Sequence, residues 1–463
     1  MSSDIANAEK LGATPFKMKI PDYVRAVMDP LSHNGFEVYA VGGCVRDSLL
    51  LKEPHDFDLT TSADPVRMKE VFSDFTVIET GISHGTLTVR SGGHNVEVTA
   101  FRTDGKYTDH RRPDRVSFTA SLQEDLSRRD FTVNALAYND DSGLVDLFGG
   151  QNDLKNGIIR CVGDPDRRFE EDALRILRAL RFSARLGFSI EQKTAESMIK
   201  KRRLLKSISA ERIFAELSGI LCGNGQTVTR LLLQFRDIFA VVLPELIPCF
   251  DFDQKNPYHK YDVYTHIAYA VGYTKPDRET RYAALLHDVG KPSTFFTDEK
   301  GIGHFYGHPK VSAETAKTVL RRLKADNRLC ESVEKLIFYH DSDIADKKAA
   351  VKKMLIKTGE KDFFALCDLK KADRAAHSEG HRDVSDIEAV ERTAREIIRE
   401  NECLSKAQLK INGRDLIAMG QKPGKRIGEI LDEIFESVVS GATKNDKEAL
   451  LALAKSIVEN NRK

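Results

Sequence analysis

Two hydrophobic rhythms divide the chain. Up to about residue 150, short apolar runs rich in β-branched residues alternate with turns: VYAVGG (38–43), NVEVTAFR (95–102), and ALAYND (135–140) followed by GLVDLFGG (143–150). Runs of this length, punctuated by glycine, predict short strands. From Phe169 onward the rhythm changes. EEDALRILRALRFSARL (170–186) carries apolar residues at helical spacing, and most of the remaining chain alternates helical runs with short breaks. The pattern predicts an α+β chain: a small α/β head followed by an all-helical neck, body and tail. Breaks near Gly150, Gly225 and Ser385 divide it into residues 18–150, 151–225, 226–385 and 386–463.

Composition narrows the class without naming it. At 463 residues and 41% hydrophobic content the chain can bury several cores. Lys+Arg 71 against Asp+Glu 70 leaves a net charge of +1, so a nucleic-acid partner has to be held by local basic patches. The seven cysteines, Cys44, Cys161, Cys222, Cys249, Cys330, Cys367 and Cys403, form no CxxC pair, which argues against a zinc ribbon or a disulfide framework and fits a reducing compartment. The opening MSSDIANAEK lacks the apolar stretch of a signal peptide, and no apolar run approaches a bilayer span. A cytoplasmic chain without membrane attachment is expected.

The strongest local text is VGGCVRDSLL (41–50) followed by HDFDLTT (55–61). A strand that ends in Gly42-Gly43 and opens a helix brings backbone N–H groups to a bound anion, and Arg46 adds a cation. By itself such a turn is equally a plain tight turn. In HDFDL, apolar Phe57 and Leu59 alternate with Asp56 and Asp58, so a strand would point both carboxylates to one face, toward one hard cation. Glu97, between Val96 and Val98, is a candidate third ligand. Carboxylates holding Mg²⁺ beside a phosphate-binding turn suit nucleotidyl transfer.

GGCVRDSLL, DFD, RRDFTVNA (128–135) and EEDALRILRALRF (170–182) occur in an order and spacing that resemble class II tRNA nucleotidyltransferases and bacterial poly(A) polymerases. The resemblance covers head and neck. It implies Asp56 and Asp58 as metal ligands and Gly43, Arg46 and Arg129 as contacts to the incoming nucleotide. In the resembling family the EDxxR segment selects CTP and then ATP, which falls here on Asp172 and Arg175; Arg178 and Arg181 match further nucleotide-contacting arginines. The chemistry is coherent. Cytosine and adenine each offer an exocyclic amino donor beside a ring-nitrogen acceptor, which a carboxylate and a guanidinium complement. Guanine and uracil reverse both groups and are repelled. The competing reading of Asp172 and Arg175, three apart on a helix, is an intrahelical ion pair of a few tenths of a kcal/mol.

The segment 101–118, FRTDGKYTDHRRPDRVSF, reads either as an ordinary exposed hairpin or, by resemblance, as the flexible loop with which full CCA enzymes switch from C to A addition. KKRRLLKS (200–207) offers a phosphate patch for RNA, against the alternative of a solvated helix face. Gly424, Lys425 and Arg426, after Pro423, sit at a turn entering a helix and resemble the tail that holds the outer arms of tRNA, against the alternative of a structural helix–turn–helix.

Eight of the thirteen histidines fall between His259 and His381. YTHIAYAV, ALLHDVGKP, FYGHPKVSAE, IFYHDSD and KKADRAAHS follow the order of HD-domain phosphohydrolases. That resemblance implies His266, His287, Asp288 and Asp373 as ligands of a divalent transition metal, with His308 and His340 for a second metal, and phosphomonoesters or cyclic phosphates as substrates. The sequence thus leads to a CCA-adding nucleotidyltransferase acting on tRNA with ATP and CTP, as monomer or homodimer. Its rivals are a poly(A) polymerase and an HD phosphohydrolase with an RNA-binding head.

Overall fold

The computed structural model describes residues 16–104 and 116–460. Two compact units emerge, one of residues 1–227 with 234–244, the other of 228–233 with 245–463. The expected head and neck fall in the first, together with residues 226–227 and 234–244 of the expected body; the rest of the body and the tail fall in the second.

The first unit is built on a seven-stranded sheet: β1 (Val38–Val41), β2 (Asp58–Thr61), β3 (Thr76–Ile78), β4 (Thr86–Ser91), β5 (His94–Ala100), β6 (Leu136–Asn139) and β7 (Gly143–Asp146). They lie side by side as β3-β4-β5-β2-β1-β6-β7, antiparallel except for β2 beside β5. Central β1 is buried at every position, and Tyr39 and Val41 pack with Phe101, Leu126 and Ala137. β5 keeps the expected alternation: Val96 and Val98 are buried and Glu97 is exposed. The helix Asp22–His33 covers the sheet with Val24, Val27, Met28 and Leu31, a spacing that puts all four on one face.

The loop at 101–118 is described only at its ends. Arg102–Asp104 and Val116–Phe118 pair as an antiparallel hairpin, and residues 105–115 lie outside the described residues.

The run 170–186 departs from expectation. It is two helices, Pro165–Glu171 and Leu174–Leu186, separated by Asp172 in an extended conformation (φ −139°, ψ 104°). The reason is local: Asp172 Oδ1 accepts the backbone N–H of Leu174 at 3.0 Å, offering the chain an alternative to the helical bond. Asp172 and Arg175 therefore do not sit one turn apart on a continuous helix. The helix Leu174–Leu186 buries Leu174, Ile176, Leu177, Leu180 and Phe182, each contributing about 1.5–3 kcal/mol of apolar burial, and packs against Ala210–Leu221.

In the second unit the helices Val263–Tyr273, Arg278–Leu286, His308–Arg322, Asn327–Tyr339 and Glu360–Ala375 pack together. The C-terminal helices Gly413–Ala418, Lys425–Ser440 and Lys447–Asn460 enclose a core that includes Leu409, Ile411, Leu416, Ile430, Ile434 and Leu450. Among the described residues no helix is long and apolar enough to cross a membrane.

Candidate active sites

In the first unit, a cavity of about 450 Å³ is lined by Gly42, Gly43, Arg46, Asp58, Arg129, Asp172, Arg175 and Arg178, with Arg128, Asp130, Asn134, Phe182 and Arg212. The strand β1 ends at Val41, and Gly42 turns the chain with φ +73° into the short helix Gly43–Leu49. A Cβ on Gly42 would lie 3.2 Å from Nη1 of Arg129, so the turn needs glycine for both backbone and space. Arg46 is buried. Its Nη1 donates to Asn134 Oδ1 at 2.6 Å and its Nε to Asp47 Oδ1 at 2.8 Å, which fixes the guanidinium before any ligand arrives.

Asp58 opens β2, and Glu97 on β5 is its direct partner in the parallel register. Asp56 precedes the strand instead of lying within it, but buried Phe57 between two exposed aspartates preserves the alternation. Partial desolvation of its carboxyl at the cavity wall, together with Glu97 and Asp56, raises Asp58 above its ordinary range, while Arg129 opposes the shift. The three carboxylates are not among the described groups whose ligand atoms all lie within 4.8 Å of one another.

Two buried carboxylates organise the arginines. Fully buried Asp125 accepts Arg128 Nη2 at 2.6 Å, Arg129 Nη2 at 3.3 Å and Thr60 Oγ1 at 3.3 Å. Asp130 accepts the Phe131 N–H, Asn134 Nδ2 and, at 2.8 Å, Arg178 Nε. Burial alone would raise the Asp130 carboxyl, yet Arg178 and Asn134 outweigh it and hold it below the usual range. Around Phe182, the guanidinium carbons of Arg46, Arg178 and Arg181 lie 5.4, 5.3 and 4.7 Å from the ring centroid.

The expected base-reading pair is rearranged. Arg175 Nη1 donates to Glu171 Oε2 at 2.8 Å and to the Arg168 carbonyl, and its Nη2 donates to the Arg128 carbonyl. Asp172 Oδ2 accepts from Arg212 Nη2 at 2.9 Å. Both residues still line the cavity. Arg181 does not line it: its Nε donates to Glu216 at 2.6 Å. Sequence reading missed Arg212, Asn134, Asp125 and Asp130. The last three lie in or beside the RRDFTVNA segment, but nothing in the sequence links Arg212 to Asp172.

The basic segment 200–207 is partly engaged, since Lys200 pairs with Asp166 and Lys201 with Glu170; Arg203 and Lys206 are exposed. In the tail, Gly424 precedes the helix Lys425–Ser440 and Arg426 Nη1 pairs with Glu429 at 3.0 Å.

In the second unit the histidines converge. His266, His287, Asp288 and Asp373 present ligand atoms within 4.8 Å of one another, and so do Asp288, His308 and His340. His266 Nε2 lies 2.7 Å from Asp373 Oδ1, and His287 Nε2 lies 3.2 Å from Asp288 Oδ2 and 3.4 Å from Asp373 Oδ1. His308 Nε2 lies 3.3 Å from Asp288 Oδ1 and 3.2 Å from His340 Nε2. Asp288 therefore stands between the two groups. Nδ1 of His287, His308 and His340 meets the carbonyls of Ala284, Phe305 and Ile337 at 2.8, 2.9 and 2.6 Å. Donation there fixes the tautomer that turns each Nε2 lone pair inward, the second-layer support of a metal ligand.

His287 Nε2 and Asp288 Oδ1 are buried without a hydrogen-bond partner. Burial and the neighbouring imidazoles push His340 down to about 3. Burial also acts against charge on His287, but Asp288 and Asp373 outweigh it and raise it to about 10, so without an ion its Nε2 carries a proton that a bound metal would displace. A donor set of imidazoles and carboxylates with unsatisfied inward atoms fits a divalent transition metal. Three further residues were missed by sequence reading: Lys291, whose Nζ lies 2.8 Å from Asp288 Oδ2, and His259 and His377, which form a third ligand group with His266. For Lys291 and His377 the signal was spacing, three residues beyond Asp288 and four beyond Asp373.

Comparison with known proteins gives these sites a family. The Poly A polymerase head domain model matches residues 38–160, a model described as an RNA- and SrmB-binding site of polymerase A matches 187–250, and a domain-2 model of tRNA nucleotidyltransferases matches 294–454. The CCA-adding enzyme of Lactobacillus helveticus is 37% identical over 93% of this chain and 97% of its own length. That of Ligilactobacillus salivarius is 34% identical over 96% and 97%. The Bacillus stearothermophilus CCA-adding enzyme, solved in complex with CTP, superposes with a TM-score of 0.69 at 28% identity, covering 96% of this chain and 99% of that one. The Thermotoga maritima CCA-adding enzyme complexed with tRNA shares the fold, with a TM-score of 0.61 at 21% identity over 96% and 100%. With head motifs, cavity and nearly full-length relatives in agreement, the chain belongs to the family of CCA-adding enzymes.

Proposed function

We propose that the head cavity adds C, C and A to the 3′ end of tRNA from CTP and ATP, releasing pyrophosphate, in a monomer or homodimer. The observation that carries this is the convergence of Gly43, Arg46, Asp58, Arg129, Asp172, Arg175 and Arg178 on one cavity. Relatives that bind CTP and tRNA support the substrates.

Asp56, Asp58 and Glu97 would hold Mg²⁺, which when bound acidifies the attacking 3′-hydroxyl and neutralises the leaving pyrophosphate. The rest falls to the chain itself. Gly42 and Gly43 admit phosphate oxygens close to the backbone, and Arg46 and Arg129 supply cations already held in place by Asn134, Asp47 and Asp125. Each oxygen of the Asp172 carboxylate is engaged once, with Leu174 N–H or with Arg212, and a carboxylate oxygen has two lone pairs. Capacity therefore remains for the exocyclic amino group of cytosine or adenine. Arg175, its plane fixed by the carbonyls of Arg128 and Arg168 and by Glu171, faces the same cavity as the ring-nitrogen donor. Arg178 adds a nucleotide contact. Arg203, Lys206 and the Gly424–Lys425 turn are assigned to tRNA phosphates.

The test is incorporation of each labelled nucleotide into tRNA that ends before CCA. Addition of C, C and A that then stops supports the reading; continued A addition moves the chain to the poly(A) polymerases.

A second reading rests on its own observation, the inward-turned imidazoles around Asp288. His266, His287, Asp288 and Asp373, with His308 and His340 for a second ion, would bind a divalent transition metal and hydrolyse phosphate esters, the ion supplying an activated water. Metal analysis of the purified chain together with phosphatase assays tests it.

A further inference from the structure

One group of imidazoles in the second unit lies outside the ligands assigned so far. His259 stands ahead of the helix Val263–Tyr273, and His377 follows the end of the helix Glu360–Ala375. The His259 ring centroid is 5.0 Å from that of His266 and 4.6 Å from that of His377, and the latter two are 5.6 Å apart. One ligand nitrogen of each residue falls within 4.8 Å of the others, and the group consists of imidazoles alone.

Their nitrogens are not spent on hydrogen bonds. His266 turns Nε2 to Asp373 Oδ1 at 2.7 Å, and its remaining nitrogen, Nδ1, is buried with no hydrogen-bond partner among the described residues. Nδ1 of His259 is buried and unpartnered in the same way. Folded proteins leave few buried polar atoms unpaired, because each forfeits its hydration without compensation. An ion that takes up these nitrogens removes that cost.

The frame around the group is built. Ser378 N–H donates to the Tyr258 carbonyl at 3.0 Å and its Oγ donates to the Pro257 carbonyl at 3.0 Å. The backbone beside His377 is thereby tied to the backbone beside His259. Asn256 Oδ1 accepts the Tyr258 N–H at 3.0 Å, while its Nδ2 donates to the Gly303 carbonyl. Asp373 divides its carboxylate: Oδ1 faces His266 and His287, and Oδ2 lies 3.6 Å from His377 Nε2. Access is open, since His259 and His377 line the same cavity of about 240 Å³ as Asp288 and His308.

Chemistry selects the ion. Imidazole suits Zn²⁺, Cu²⁺ and Ni²⁺, whereas Mg²⁺, Ca²⁺ and Mn²⁺ prefer oxygen donors. His266 is shared, for it also belongs to the group with His287, Asp288 and Asp373. An ion on its Nε2 acidifies the Nδ1 proton, and a second ion displaces that proton to solvent and leaves a bridging imidazolate. The group around Asp288 therefore fills first.

We propose that His259, His266 and His377 hold a further ion of the Zn²⁺ class, bridged through His266 to the ion of the Asp288 group, which clamps the loop ahead of Val263 to the end of the helix Glu360–Ala375. This rests on the reading of His266, His287, Asp288 and Asp373 as a metal site, and on no hydrolytic activity.

The test counts ions in the full chain, stripped by a chelator and then dialysed against Zn²⁺ alone. His259→Ala and His377→Ala should each bind one Zn²⁺ fewer than wild type, and His287→Ala should lose this ion together with its neighbour. With Mn²⁺ in place of Zn²⁺, His259→Ala should bind as many ions as wild type. Ser378→Ala, which cuts the tie but removes no ligand, should weaken the ion about tenfold. Circular dichroism of the stripped chains checks folding, and His259→Asn replaces the alanine variant if that one does not fold. A Zn²⁺ count lowered by His287→Ala but unchanged in His259→Ala and His377→Ala overturns the site and leaves the Asp288 group standing. A count that His287→Ala also leaves unchanged overturns the metal reading of the whole cluster, and this site with it.

Discussion

Arg212 Nη2 lies 2.9 Å from Oδ2 of Asp172, forty residues away along the chain. The carboxylate assigned to base reading is thus oriented from a second helix, Ala210–Leu221, as well as by its own cap on Leu174. Asp172→Ala should relax the choice between C or A and the rejected bases more than it slows transfer. Arg212→Gln should do the same to a smaller degree, because the carboxylate stays but swings. Misincorporation of GTP and UTP into tRNA lacking CCA measures both, and unchanged selectivity in Asp172→Ala would remove the base-reading role.

At the proposed ion site, Asp58→Asn and Asp56→Ala should each abolish nucleotide addition while tRNA affinity stays within about threefold, since phosphate contacts carry most RNA affinity. The Asp58 carboxyl is raised by partial desolvation and by Glu97 and Asp56. Its ionised form, the one that binds a cation, is therefore lost at a higher pH than for a free aspartate. Without the ion, the Asp58 carboxyl should therefore titrate above a free aspartate, and Glu97→Gln should lower that titration. Carboxyl NMR of the metal-free chain reads this directly.

Asp130 is a buried anion whose partner Arg178 lines the cavity. Removing one member of a buried pair leaves the other uncompensated, so Asp130→Ala should cost about 3–5 kcal/mol in stability. The folded pKa of Asp130 is depressed. Its contribution is then present above the ordinary carboxylate range and lost as pH falls through the lowered value. Urea unfolding of wild type and Asp130→Asn should differ most above the ordinary carboxylate range and converge as pH falls through the lowered Asp130 value.

The histidine cluster should bind metal as a folded site. A saturating divalent transition ion at a hundred times its dissociation constant stabilises by about 2.7 kcal/mol, visible as a rise in Tm that a chelator reverses. His287→Ala or Asp288→Ala should abolish the rise and the bound metal while CCA addition persists. A metal-independent Tm in the wild-type chain would count against the site.

Periodicity and motif order already carried the α+β class, the glycine turn before Arg46, the exposed side of Asp56, Asp58 and Glu97, and the set of histidines that converges around Asp288. These depend on neighbours close in sequence: alternation along a strand, spacing along a helix, a turn that only glycine tolerates. Packing decided the rest. The break at Asp172 arises because one side-chain oxygen outcompetes one helical bond, an effect of the same order as the propensities that sequence patterns sum. Arg181 was matched to the nucleotide by motif, but Glu216 on a separate helix draws it out of the cavity. Arg212 escaped notice because its partner Asp172 lies forty residues away, and no spacing rule encodes a contact made only when two helices dock.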